Sequence, residues 1–581
     1  MDKTDRKLKT NLILCYILTF AVALAAFMAA PSDPHFVIND DVMIRSILDG
    51  SYAGENSFMT VYMRVPLSAL LALICRMFPS VSVFEFFLQA VCLASFALVA
   101  KELISSDKTI KKSVFKVVFL ISLWFAIYAI YAMQLHYTVV AAVAGAAGLF
   151  LFAEGVFEKE LRKYPIVTGM LLMILCDEIR KQTFFMVIPF AFIAAAISVI
   201  ASLKNKDKER LTKLLKICAV PAVLFLLFIA TDKAAYSSNG YAEYMEYNDA
   251  RTALYDYTGV YDDADAKAYY SSLGLEEPEM KLIKEYDIAL DADIDAKLME
   301  QMAAYKAPSA DKDPVTHIRE TIWMLRHETL TPDGDKGKEF PILLLITVLA
   351  AAALIISSGN FVCFVPLAIV LCIHFGLYGM LFWNGRFPER VVIALYMIST
   401  TAVISVGFLA ARHPRRERDR LNAGIMAAAA ILILVITGPI SAGSARDRSE
   451  AVGDTNAAYD VLYSYMAKRP DMLYLSDVYA DVTSSSVNIP ENMLKLGGWI
   501  TESPLYHKKL EGYGAEDMDG LLKGDRELAY VCREGVGLSA EDLKAFFDVK
   551  YGEDTFLLKP EDEIRSGKEV FHIYLIERKI R

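Results

Sequence analysis

The feature that most constrains this chain is the segregation of its charge: long windows hold almost no ionisable side chains, and the Asp, Glu, Lys and Arg residues collect in blocks between them. A bilayer core about 30 Å thick requires roughly 20 apolar residues of helix. Windows of this kind recur at 11–30, 82–100, 114–133, 138–154, 164–178, 183–202, 217–231, 340–357, 360–382, 391–411 and 422–441. They predict an α-helical polytopic membrane protein with about 11 transmembrane helices. With 55% of its 581 residues hydrophobic, the chain is not a disordered polymer, a rod or a small disulfide-built domain. Seven cysteines (Cys15, Cys75, Cys92, Cys176, Cys218, Cys363 and Cys372) lie in apolar stretches and only Cys532 lies outside them, so no CxxC metal pair is available.

Sorting the basic residues sets the orientation. Lys3, Arg6, Lys7 and Lys9 precede the first window and place the N-terminus in the cytoplasm. That window is longer than the apolar run of a cleaved signal peptide, roughly 7–15 residues, so it is read as an anchor. Four basic loops, 101–116, 154–163, 204–216 and 411–420, then fall on the cytoplasmic side. This agreement requires that the apolar segment 60–78 does not cross; it is read as an interfacial helix in the first outer loop, with Arg64 and Arg76 reaching towards headgroups. The plan is a multi-pass plasma-membrane domain over 1–443, with a first outer loop at 31–81 and a large outer loop at 232–338. That large loop is acidic, with 23 Asp+Glu against 12 Lys+Arg.

The block 444–581 has no span and is placed outside the cytoplasm. Strand-like runs at 472–476, 528–532 and 570–577 alternate with helical patterns at 456–467 and 540–547, which predicts a C-terminal extracytoplasmic α/β domain.

Ionisable residues beside hydrocarbon are candidates for function because each costs free energy that a structural helix avoids. Asp40 and Asp41 follow the first span closely, in the stretch that also holds His35. Adjacent carboxylates cannot point the same way, so one can face a site while its neighbour holds structure. Asn39 or Asp40 also suits an N-cap for a helix over 42–48. Arg180 and Lys181 sit at an outer turn against the inward bias of basic charge, and Arg386 and Arg390 sit in another short outer turn. Guanidinium forks match phosphate oxygens. His136 reads as a hydrogen-bonded residue at a span end. The Tyr-rich stretch 236–270 can bind carbohydrate or form a solvated cap; the cap is the preferred reading, with Glu246, Asn248, Asp249, Arg251 and Asp256 marked. The run 291–295 resembles the start of a calcium loop but lacks its Gly and Glu, and reads as a helix start. P-loop, GxGxxG, HExxH and GxSxG patterns are missing.

Taken together, a cytoplasmic N-terminus, one span, an acidic pair in a long outer loop with an interfacial helix, many further spans and an outer C-terminal domain resemble the GT-C superfamily of polytopic glycosyltransferases. The stretch 61–79 looks like that family's juxtamembrane helix. Blocks 39–50, 246–257 and 385–390 are similar to those of polytopic membrane proteins of Gram-positive bacteria. The resemblance implies a polyprenyl-phosphate-linked sugar donor and a glycan, glycolipid or protein acceptor in the cell envelope. It also implies inverting transfer, with Asp40 as general base, Asp41 in the second acidic position, and Arg386, Arg390, Arg180, Lys181 and His35 as substrate-binding residues. No cofactor is implied; some members of the superfamily use a divalent metal, but no convincing ligand set stands in this sequence.

The net charge of -10 speaks against a nucleic-acid partner. The competing classes are a transporter or flippase for lipid-linked or small polar substrates, and a non-catalytic envelope-assembly scaffold. No repeated halves support the transporter reading.

Overall fold

A computed structural model describes residues 13, 16–22, 24, 35–105, 110–238, 240–305, 314–330, 339–384, 387–416, 418–481 and 489–579. Among them, eight helices are long and apolar enough to cross a membrane: Val83–Ile104, Tyr137–Phe157, Lys181–Lys204, Lys208–Ala235, Glu339–Ser358, Phe361–Trp383, Glu389–Arg412 and Asp419–Ala467. Two more expected windows are helical: Lys163–Ile179, and the run 110–133, which passes through a π-turn at Trp124–Tyr128. The expected first span, 11–30, lies largely outside the described residues.

Tyr137–Phe157 is buried along its whole length and forms the axis of the bundle. Its glycines permit this: a Cβ on Gly148 would lie 2.6 Å from the Gly169 carbonyl oxygen, so Lys163–Ile179 packs backbone to backbone against it.

All four basic loops meet at one end of the bundle. Arg162 pairs with Glu102, Arg412 pairs with Glu154 and with Glu158 at 3.2 Å, and Arg210 donates to the Val156 carbonyl at 2.8 Å. Arg415 N–H donates to Ser358 O at 2.8 Å, closing the same end.

The segment 60–78 forms a helix shorter than the eight candidate spans. Its helix, Val65–Met77, has 13 residues, about 20 Å at 1.5 Å per residue. It starts beside Asp177 and Asp232 and leads into Val83–Ser105, whose Glu85 lies 3.6 Å from Arg45 of the first loop. One expectation fails here. Arg64 does not reach towards headgroups but bonds Asp177 at 3.0 Å and Asp232 at 2.7 Å. A mostly buried guanidinium is stabilised by fixed carboxylates, and these tie the interfacial helix to two spans.

Beyond the bundle stands a five-stranded sheet. Its strands are β3 (Leu473–Ser476), β4 (Met493–Lys495), β5 (Leu528–Arg533), β6 (Phe556–Ser566) and β7 (Glu569–Arg578), in the order β4-β3-β5-β7-β6; β1, in the first loop, and β2, before the axial helix, are described with the site. The first three strands run parallel and β6-β7 is an antiparallel hairpin. The sheet hangs from Asp419–Ala467, which passes 443/444 without a break.

The stretch 236–270, expected as a solvated cap, instead buries Tyr247, Ala250, Leu254, Ala266 and Tyr270 in a core shared with the sheet. Leu254, Leu282, Ile283 and Met299 share one core with Leu475, Leu494, Tyr530 and Phe546. The docking is reinforced by Ala289 N–H donating to Leu496 O at 2.9 Å and by the Lys550–Asp291 pair. The loop's acidity lies mostly on its outer faces while its apolar residues complete the sheet's cover. Asp295 caps the helix Ala296–Ala303 by accepting from Leu298 N–H at 2.7 Å, the helix start that the incomplete calcium pattern suggested.

Candidate active site

The first loop is pinned to the bundle end by a short parallel pairing, β1 (His35–Phe36) with β2 (Gln134–Leu135). Immediately afterwards the helix Asn39–Asp49 begins. Its N-cap is Ile38, which has no capping side chain, so neither Asn39 nor Asp40 is consumed as a cap. With 3.6 residues per turn, neighbouring side chains diverge by about 100°, and the two aspartates part accordingly. Asp41 turns inward, fully buried, and accepts from Tyr137 N–H at 2.9 Å. Burial pushes its carboxyl well above the usual range. His136 Nδ1, 3.9 Å from Asp41, accepts from Thr138 N–H at 3.1 Å and caps the axial helix. Burial holds this imidazole well below its ordinary pKa, so it is a neutral cap rather than a cation for Asp41.

Asp40 turns the other way, into a cavity of about 930 Å³ counted with its open mouth. Three parts of the chain wall it. The bundle end supplies Asn39, Asp40, Met43, Tyr62 and Arg390; the acidic loop supplies Arg251, Asp256 and Tyr286; the sheet domain supplies Asp481, Lys495 and Trp499. Trp499 Nε1–H donates to Asp40 Oδ1 at 3.1 Å, and Arg390 Nη2 lies 3.9 Å from Asp40 Oδ2. Tyr62 meets the Trp499 ring edge-on at 5.0 Å.

The approach of Trp499 depends on the two glycines before it. A Cβ on Gly497 would fall 1.9 Å from Tyr286 O, and Gly498 has φ +99°, a conformation that L side chains rarely adopt. Tyr244 also donates its hydroxyl to Trp499 O. The sheet domain and the acidic loop thus fix the indole above the bundle's carboxylate.

The other expected site residues divide. Arg180 stacks between the Tyr62 and Tyr137 rings, at 4.7 and 5.0 Å, one ring away from the cavity. Among the described residues, its Nη1 and the Nε of Arg390 are buried donors without a hydrogen-bond partner. Lys181, expected beside Arg180, is instead exposed with its ammonium over Phe185, because the helix that starts there turns it off the site. His35 lies in β1 and Asp41 beneath the loop, and neither lines the cavity. Arg386 lies outside the described residues. Sequence reasoning missed Trp499, Asp481, Lys495, Tyr62 and Tyr286. The only signal for any of them is the Gly497-Gly498 pair, which reads from sequence as a plain turn. Among the described residues, no group of three or more His, Cys, Asp or Glu side chains is placed to hold a metal ion.

No family model matches the chain, and no curated protein matches it. Two solved structures align along nearly its whole length. ArnT from Cupriavidus metallidurans in the apo state is 12% identical with a TM-score of 0.41, covering 97% of this chain and 98% of that one. The same protein bound to undecaprenyl phosphate is 11% identical with a TM-score of 0.40, covering 96% and 97%. The site is therefore read from its own residues.

Proposed function

We propose that this protein is a membrane glycosyltransferase of GT-C type, which moves a sugar from a polyprenyl-phosphate donor to a cell-envelope acceptor on the outer side of the plasma membrane. The observation that carries the reading is the placement of Asp40: a carboxylate at the bundle end of a cavity lined by charged and aromatic side chains, held by Trp499 on one oxygen and faced by Arg390 on the other. In the proposed step the acceptor oxygen attacks the anomeric carbon from the side opposite the phosphate. The C–O bond to phosphate breaks, its electron pair leaves with polyprenyl phosphate, and the acceptor proton passes to Asp40, with inversion. Arg390 holds the leaving phosphate, with its buried Nε–H as the support for this role, and Arg180, one ring behind the wall, adds positive charge without touching it. The four basic loops at the opposite end favour a cytoplasmic location for that end, which leaves the cavity on the donor's side.

The test uses the full chain in nanodiscs, with a panel of radiolabelled undecaprenyl-phosphate sugars and envelope membranes as acceptor. Asp40→Asn is expected to lower transfer by about 10²–10⁴-fold, while undecaprenyl phosphate still binds. Arg390→Gln is expected to weaken that binding about tenfold or more, the loss of a charge-assisted contact. Undiminished transfer by a folded Asp40→Asn protein overturns the reading.

A further inference from the structure

The cavity is longer than the Asp40–Arg390 pair. Its far half is built almost wholly from the acidic loop and the sheet domain. Two ionic groupings stand there. Lys495 pairs with Asp481, whose other oxygen accepts from Tyr463 OH at 2.6 Å. Arg251 donates to Asn248 Oδ1 at 3.0 Å and to the Tyr286 hydroxyl, with Asp256 on the same wall. The far half therefore carries two cations and two carboxylates, and the rings of Tyr62, Tyr286 and Trp499 face the same space.

The sheet topology points to the same place. β4 and β5 lie on opposite sides of β3, all three parallel, so the chain diverges beyond their carboxyl ends. Ligands of open α/β sheets bind at such a divergence. Asp481 follows β3, and Lys495 to Trp499 ends and follows β4, so the residues in question stand outside the carboxyl ends of two adjacent parallel strands, on one side of that divergence.

We infer that this far half is a binding site for an uncharged sugar residue, and that the sugar the enzyme handles carries neither carboxylate nor ammonium. The inference rests on the glycosyltransferase reading and adds the substrate class. Aromatic faces receive the apolar C–H face of a pyranose, and paired acids and bases accept from and donate to its hydroxyls. A uronate placed there meets Asp481 and Asp256 while Lys495 is held by Asp481 and the donors of Arg251 are taken by Asn248, Tyr286 and Thr252; an amino sugar meets Lys495 and Arg251 while Asp481 is held by Lys495 and the Tyr463 hydroxyl. Either leaves a desolvated charge without a partner, which is how a site rejects a wrong ligand.

The experiment compares undecaprenyl-phosphate-linked hexose, hexuronate and amino-hexose as competitors for binding to the full chain in nanodiscs, with undecaprenyl phosphate alone as reference. The wild type is expected to prefer the neutral hexose by tenfold or more over both charged forms. Two single substitutions should move the preference in opposite directions: Asp481→Asn leaves Lys495 unpaired and draws the selectivity towards the hexuronate, and Lys495→Met leaves Asp481 unpaired and draws it towards the amino sugar. A folding defect cannot produce opposite shifts. If undecaprenyl phosphate itself fails to bind, the glycosyltransferase reading falls. If it binds and a charged sugar is preferred by the wild type, or both variants keep the wild-type order, the neutral-sugar inference alone is wrong.

Discussion

Both ends of the bundle bury charge, and they do so differently. At the end bearing the basic loops, Arg412 and Arg162 pair directly with Glu154, Glu158 and Glu102, and Arg210 donates to helix carbonyls while its Nε stays buried and unused among the described residues, so a leftover donor occurs here too. At the Asp40 end a cavity separates the charged groups, Arg390 stands 3.9 Å from its acid, and guanidinium donors are left over. Buried charge alone therefore does not mark a site. Charge that is held in place and not fully paired, around an open volume, does.

The largest effect on stability is expected where buried ions are paired directly. Arg412→Ala leaves Glu154 buried without its partner and is expected to cost about 3–5 kcal/mol, read as a lower thermal midpoint in detergent, with turnover per folded molecule unchanged. A loss of turnover without loss of stability would mean that this end also takes part in the reaction.

At the Asp40 end the expected effect is smaller and kinetic. Trp499→Phe keeps the ring beside Tyr62 but removes the N–H that holds Asp40 Oδ1. A hydrogen bond to a charged group is worth about 1.5–3 kcal/mol, so kcat is expected to fall roughly tenfold or more while KM for the donor holds. A change in KM alone would make Trp499 a binding residue and not a positioning one.

The smallest effect concerns Lys509, a buried amine 4.8 Å from the Tyr52 ring and without a hydrogen-bond partner among the described residues. Burial pushes its pKa down to about 7 from the ordinary 10.5. Between those values the unfolded chain holds the proton and the folded chain does not, so stability should rise with pH across this window and fall as pH drops towards 7. Lys509→Met is expected to flatten that slope in melts at pH 7 and 9. An unchanged slope would show that Lys509 does not carry it.

The membrane architecture was legible because a bilayer imposes a simple rule on composition. Apolar windows of about 20 residues located eight helices by residue range, and 60–78, set apart from them by its two charges, holds a helix of 13 residues, shorter than those eight. Three runs of alternating or continuous apolar residues located β3, β5 and β7. β4 escaped because three residues carry no periodicity, and β6 because Lys559 to Glu563 interrupts its pattern. Asp40 was legible as a carboxylate beside the membrane, but its separation from Asp41 was open until the helix register assigned one to the cavity and the other to Tyr137 N–H. Lys181 misled because a loop lysine next to an arginine looks like its partner, whereas the backbone sends the two apart.

By itself, then, the sequence determined which segments enter the bilayer, which end of the bundle collects basic charge and where an acidic pair stands at the boundary. These follow from local composition against a fixed solvent thickness. Only the tertiary structure decided that the acidic loop and the C-terminal sheet share a core, that Gly497 lets Trp499 reach across to Asp40, and that Asp481 and Lys495 belong to the same cavity. Residues 459 positions apart in the chain meet there, and contacts of that span depend on how separately folded parts fit together, which no local pattern records.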